Sequence, residues 1–178
     1  MRIISGKLGG RVFIAPKNHR THPMADKVRG ALFSVLGDID GLTILDAFTG
    51  SGALAFEAIS RGAMFVVAID IDKNAFDAVQ RNVKDLGITS EKIKVIRSNC
   101  ASWSQKNSDT KFNIVIAAPP YDDLQVDKIK SLTRHLEDSG VFILDWPGKL
   151  ALPSIDNLKL IKSKKYEDAQ LAFYRKIR

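Results

Sequence analysis

The 178-residue sequence predicts an α/β domain, a mostly parallel sheet with helices on both faces and an antiparallel hairpin at its C-terminal edge. Three observations predict it. Short apolar runs alternate with amphipathic stretches between residues 42 and 144. The runs are four to six residues long, strand-like rather than helical, and are punctuated by Gly, Pro or Asp. After Pro153 the alternation stops, and two runs, Leu158–Tyr166 and Leu171–Arg178, flank Glu167-Asp168; so short a connection requires antiparallel pairing.

The elements follow in order. Residues 2–14 read as two short strands around Gly6 and Gly9-Gly10, and residues 15–25, with Pro16, Asn18, His19, His22 and Pro23, as a loop. Val28, Ala31, Leu32, Val35 and Leu36 recur at helical spacing, with Asp26 as the expected N-cap and Gly37 as the stop. Thr43–Ala47 is the first buried strand, followed by a glycine turn and a helix over Ala53–Ser60. Phe65–Ile69 is the second strand. Asp72 is placed to cap a helix carrying Ala75, Phe76, Val79 and Val83 on one face, with Gly87 ending it. Ile93–Ile96 and Phe112–Ala117 are the third and fourth strands, the latter stopped by Pro119-Pro120. A helix is expected over Leu124–Leu136 and a fifth strand over Val141–Leu144. The whole chain, 1–178, reads as one domain: a basic hairpin, loop and helix (1–40) appended to a core (41–178).

The net charge of +7 is unevenly spread: residues 1–30 carry +6 and residues 159–178 carry +5, leaving the body at −4. Two basic ends suit an anionic partner, nucleic acid first, although the same pattern also suits a solubilising surface. No apolar run reaches the roughly 20 residues that span a bilayer, and no apolar segment follows the basic start as in a secretory signal. The lone Cys100 has no disulfide partner, and neither it nor His19 and His22 has metal-ligand spacing. No metal site, no membrane, a cytoplasmic location and a monomer are the expectations.

The turn Asp46-Ala-Phe-Thr-Gly-Ser-Gly52 follows the first strand, where open α/β sheets bind ligands. Gly50 and Gly52 allow close backbone approach, and the next helix offers free N–H groups. No Lys-Ser/Thr pair follows, which argues against a P-loop, and the third glycine of a dinucleotide fingerprint is missing. Asp70, at the tip of the second strand, is placed to hold both hydroxyls of a ribose. The layout is that of S-adenosylmethionine sites: Asp46 orders the turn and reaches the amino end of the cofactor, and Asn99 meets the adenine edge. Phe48, Ser51, Ile71 and Cys100 complete the expected lining.

The fourth strand runs into Ala118-Pro119-Pro120-Tyr121. Two prolines stiffen this turn and leave carbonyls free to accept, while the tyrosine can stack on a flat base. Methylating an exocyclic amino group needs this combination, because acceptors must aim the nitrogen at the methyl donor. Ala118, Pro119, Pro120 and Tyr121 are therefore the catalytic candidates. For phosphate contact the candidates are Lys7, Arg11, Arg20, Lys27 and Arg29, then Lys164 and Lys165. Trp103 and Trp146 read as packing residues.

With those residues in view, the sequence resembles the RsmD-type 16S ribosomal RNA guanine-N2 methyltransferases. The resemblance rests on Met1-Arg-Ile-Ile-Ser-Gly-Lys7, His22-Pro-Met-Ala-Asp-Lys-Val-Arg29, the cofactor turn with Ser60-Arg-Gly62, Pro119-Pro-Tyr121, Lys165-Tyr-Glu-Asp168 and Phe173-Tyr-Arg175. It implies a class I, Rossmann-like methyltransferase fold with S-adenosylmethionine as donor. The implied acceptor is a guanine N2 of 16S rRNA, met in the small ribosomal subunit or an assembly intermediate. Three positions depart from the family pattern. Ala118 stands where Asp or Asn is usual, His22-Pro-Met-Ala25 replaces Arg-Pro-Thr-Thr, and Asn99 replaces an acid. Ala118 keeps a second reading open, a weakened or non-catalytic relative that binds cofactor and RNA in ribosome assembly. A DNA amino-methyltransferase shares the Pro-Pro-Tyr logic but usually carries a larger target-recognition region.

Overall fold

A computed structural model of the chain describes residues 1–17 and 24–177. Arg20, His19 and His22 lie outside the described residues.

A central seven-stranded sheet runs in the order β3-β2-β1-β4-β5-β7-β6. Its strands are β1 (Thr43–Asp46), β2 (Phe65–Asp70), β3 (Ile93–Arg97), β4 (Phe112–Ala117), β5 (Leu136–Pro147), β6 (Leu158–Lys165) and β7 (Ala169–Lys176). The first five are parallel, and β7 pairs antiparallel with both β5 and β6. β1, β2 and β4 are almost wholly buried because helices cover both faces, which is why they read as continuous apolar runs. The chain moves outward from β1 through β2 to β3, then returns to place β4 on the other side of β1. The crevice beyond the carboxyl ends of β1 and β4 is therefore the topological switch point, where such sheets bind ligands.

The helices are α1 (Asp26–Leu36), α2 (Ala53–Ser60), α3 (Lys73–Asp85), α4 (Cys100–Lys106) and α5 (Val126–Leu132). Asp72 caps α3 as expected, its carboxylate accepting from Ala75 N–H. Asp26 does not cap α1: Ala25 holds that position without a side-chain bond, and Asp26 pairs instead with Arg29 one turn on. The helix expected over Leu124–Leu136 is shorter. It ends in a 3-10 turn, Thr133–His135, and Leu136 already pairs with Phe112 as the start of β5. α4 is not among the elements the sequence predicts; it follows Asn99, whose side chain forms the helix cap.

Residues 2–14 are not two regular strands; a single bridge joins Arg2 and Val12. Side chains of α2 and α3 hold this segment instead. Buried Glu57 accepts from the Ile4 and Ser5 N–H groups at 2.7 and 3.1 Å, and Ser60 Oγ accepts from Leu8 N–H. Asn82 exchanges two hydrogen bonds with the backbone of Ile14. A Cβ on Gly6 would sit 1.9 Å from the Ser60 carbonyl oxygen, so only glycine lets the segment lie this close. Ser5-Gly6 and Ser60-Arg61, two of the motifs that carry the family resemblance, thus meet as a clasp. Ile3 and Phe13 from this segment join the same core as Leu32, Phe56 and Ile44. Among the described residues no helix is long and apolar enough to cross a membrane.

Candidate active site

β1 ends at Asp46, whose register partners are Ala68 on β2 and Ile116 on β4. The side chain is fully buried at the switch point. One carboxylate oxygen, Oδ2, accepts from Thr49 Oγ at 2.8 Å; the other, Oδ1, is buried without a hydrogen-bond partner. Burial pushes the carboxyl up to about 7, opposed by the Thr49 bond, and nearby Asp70 raises it further. The Phe48 backbone N–H also lowers this carboxyl, but Oδ1 has no well-formed hydrogen bond, and a buried carboxylate oxygen left so is costly unless something else satisfies it. A ligand ammonium is one group that would.

The turn itself is held by the second strand. Asp70 Oδ2 accepts from Gly50 N–H at 2.7 Å, Oδ1 accepts from Asp72 N–H, and Thr49 N–H donates to Ile69 carbonyl. The carboxylate, which can accept about four hydrogen bonds, keeps capacity for a hydroxyl. Burial also raises this carboxyl, against the backbone bonds that lower it. Gly50 and Gly52 both have positive φ, 53° and 80°. For Gly52 the requirement is packing as well as conformation, since a Cβ would lie 2.7 Å from the Phe56 ring. Close approach of a ligand is thus not what selects glycine at 52. Ser51 and Thr49 are buried in the same turn, and Phe48 packs partly buried against the second core cluster.

The remaining lining candidates divide. Ile71 is exposed just beyond Asp70, an apolar side chain open at the mouth of the crevice. Cys100 is a buried core residue in the first turn of α4, packed with Trp103 and Phe112. Asn99 commits its carbonyl oxygen to capping α4, accepting from Ala101 N–H at 2.9 Å. Only its amide N–H₂ can turn to a ligand, a donor where the family's usual acid would accept.

β4 delivers the Pro-Pro-Tyr turn to the other side of the crevice. Ala118 is half-buried and Pro119 buried, while Pro120 and Tyr121 are exposed. The Pro120 carbonyl accepts from Asp123 N–H, which closes the turn. Tyr121 Oη donates to Asp145 Oδ1 at 2.7 Å. Asp145 is at the carboxyl end of β5 and only 9% exposed, and its burial pushes it up to about 6. Desolvation and the Asp145 charge push the Tyr121 hydroxyl well above its ordinary range. Sequence reasoning missed Asp145. Its signal was the same as for Asp46 and Asp70, an acid at the tip of an apolar strand, Ile143-Leu-Asp145. Glu57, an acid inside the apolar stretch Ala53–Ser60, gave a comparable signal for the clasp.

The basic candidates also divide. Arg29 is fully buried, bonded to the Arg2 carbonyl and Asp26, with Glu57 3.7 Å from its Nε. It holds α1 to the body and cannot meet a phosphate, because an amphipathic helix turned this arginine inward toward a buried acid. Arg11 is exposed, but its guanidinium donates to the Leu86 and Asp85 carbonyls at the end of α3. Lys7, Lys27, Lys164 and Lys165 are exposed. Trp103 and Trp146 are buried, as expected of packing residues.

Comparisons with known proteins agree with this arrangement. The family model described as Conserved hypothetical protein 95 matches residues 1–175. The YlbH protein of Bacillus subtilis is 31% identical over 183 aligned residues, 99% of each chain. The protein named Ribosomal RNA small subunit methyltransferase D of Buchnera aphidicola (subspecies Acyrthosiphon pisum) is 30% identical over 176, covering 97% of this chain and 91% of that relative. The solved structure of yhhF from Escherichia coli superposes with a TM-score of 0.87 at 29% identity, over 99% of this chain and 97% of the other. The fold is that of class I S-adenosylmethionine methyltransferases.

Proposed function

Since the chain belongs to the RsmD-type methyltransferase family, we propose that it uses S-adenosylmethionine to methylate the exocyclic N2 of a guanine in 16S rRNA, within the small ribosomal subunit or a precursor of it. The observation that carries this reading is the partnerless, buried Oδ1 of Asp46, at a switch point faced by a Pro-Pro-Tyr turn. When bound, S-adenosylmethionine supplies an electrophilic methyl group. Asp46 would take its ammonium, Asp70 its ribose hydroxyls, and Ile71 would cover an adenine face. Across the crevice Tyr121 would stack on the guanine, and the Pro119 carbonyl would accept one N2 hydrogen so that the nitrogen lone pair points toward the donor. Holding the two reactants in this geometry is the larger part of what such a site contributes.

The test is nucleoside mass spectrometry after incubating the protein with S-adenosylmethionine and small subunits from cells that lack it. N2-methylguanosine in 16S rRNA is the expected product. Its absence, with cofactor binding intact by calorimetry, would favour the non-catalytic reading that Ala118 suggests.

Lys7, Lys27, Lys164 and Lys165 are the proposed phosphate contacts that remain available in the structure. Each Lys→Ala change is expected to weaken RNA binding uniformly across sequences and reduce the slope of log K against log[salt] by roughly 0.7–0.9. Filter binding across a salt series checks this. The slope for Arg29→Ala should not change, although that variant will melt lower.

A further inference from the structure

Tyr121 is the only side chain of the catalytic turn that could both touch a base and be oriented by the protein, because Ala118 has nothing to offer a hydrogen bond. Its ring is 38% exposed, and an exposed ring on a loop ordinarily samples several rotamers. Here its hydroxyl is tied to Asp145, 24 residues away along the chain. Asp145 itself sits on a rigid support. It pairs with Leu171 on β7, and the strand end beyond it is braced by Gln170, whose amide donates to the carbonyls of Pro147 and Leu150. Ala117 and Leu144 are the last register partners of β4 and β5, so Ala118 and Asp145 are the next residues along the two adjacent strands. The buried carboxylate nearest along the sheet to the catalytic turn is therefore delivered from β5, not from position 118. Burying an acid costs stability, and tying down a half-exposed tyrosine returns little of it. The arrangement is better explained by what it does to the ring.

We propose that Asp145 is a positioning residue for methyl transfer, fixing the Tyr121 ring in the orientation that receives the target base and partly offsetting the acceptor that Ala118 lacks. The inference rests on the functional reading above. It predicts that Asp145 acts on turnover through Tyr121 and leaves cofactor binding untouched.

The experiment compares Asp145→Ala, Asp145→Asn, Tyr121→Phe and the double variant Asp145→Ala/Tyr121→Phe in the full chain. The readouts are kcat and KM on small ribosomal subunits and S-adenosylmethionine affinity by calorimetry. Asp145→Ala and Tyr121→Phe should each lower kcat/KM about tenfold, the scale of one hydrogen bond, with cofactor affinity within about twofold of wild type. The double variant should be no worse than either single one, because both remove the same bond. Asp145→Asn keeps an acceptor oxygen and should recover most of the rate. An active wild type with Asp145→Ala equally active overturns the inference alone. So does loss of rate and cofactor affinity together in both Asp145 variants, the mark of a packing role. A wild type that binds cofactor but transfers no methyl group overturns the functional reading, and this inference with it.

Discussion

Asp46→Asn is expected to weaken S-adenosylmethionine binding about 100-fold and to abolish its pH dependence below neutrality. The carboxyl titrates at about 7 because burial disfavours its charge. A cationic ligand prefers the ionised form, so the free protein must give up a proton to bind. Affinity should then rise roughly tenfold per pH unit below about 7 and level off above it, until the ligand's own ammonium begins to deprotonate near pH ~8. Asparagine cannot ionise, so its affinity should be flat over that range and low throughout, since a charge-assisted bond of about 1.5–3 kcal/mol is lost. Stability runs the other way. The folded carboxyl lies above its ordinary 3.8, so the free protein loses stability as pH rises from about 4 to about 7. The fall in Tm between pH 4 and pH 8 should be smaller in Asp46→Asn. Calorimetric titration and thermal scans over this range check both halves, and an unchanged affinity would show that the partnerless oxygen does not face the ligand.

Local signals made much of this legible from sequence. The parallel strands declared themselves as short apolar runs because both faces are covered, and Asp72 and Gly87 punctuated α3 as caps do. The two candidate turns were readable because a switch-point crevice must be built from residues just past strand ends, and those residues are polar or rigid where the strand is not. What stayed hidden depends on long-range partners. Glu57 and Ser60 hold a segment more than 50 residues earlier, so the N-terminal pattern looked like a hairpin and Arg29 like a surface cation. Asn99 fits two roles, cap and ligand contact, and only the start of α4 shows that its carbonyl is used locally. Asp145 stood legibly at the tip of an apolar strand, but its reach to Tyr121 depends on β5 lying beside β4, an adjacency that no local pattern encodes.

In the proposed reading, position 118 separates what the site binds from what it catalyses. The proposed cofactor side lies on β1 and β2, where Thr49 Oγ donates to Asp46 and the next residue, Gly50, donates its N–H to Asp70. The proposed acceptor side is the turn after β4, where Ala118 contributes a methyl group in place of the family's usual Asp or Asn. A guanine amino group would then be held by the Pro119 carbonyl alone, with Tyr121 fixing the ring plane. One missing hydrogen bond in the transition state is worth about 1.5–3 kcal/mol, so Ala118→Asp or Ala118→Asn should raise kcat roughly 10–150-fold. Cofactor affinity should stay unchanged, because nothing on β1 or β2 is altered. The two substitutions need not agree. An aspartate at 118 comes beside Asp145 on the neighbouring strand and shares the crevice with Asp46, and like charges raise one another's pKa. The amide avoids that repulsion, so Ala118→Asn should keep its gain at pH 6, where Ala118→Asp loses part of its own. Single-turnover rates on small ribosomal subunits at pH 6 and pH 8 measure this directly. If neither variant exceeds the wild-type rate, the Pro119 carbonyl and the Tyr121–Asp145 pair already supply all the orientation the reaction uses, and position 118 has no catalytic part in this chain.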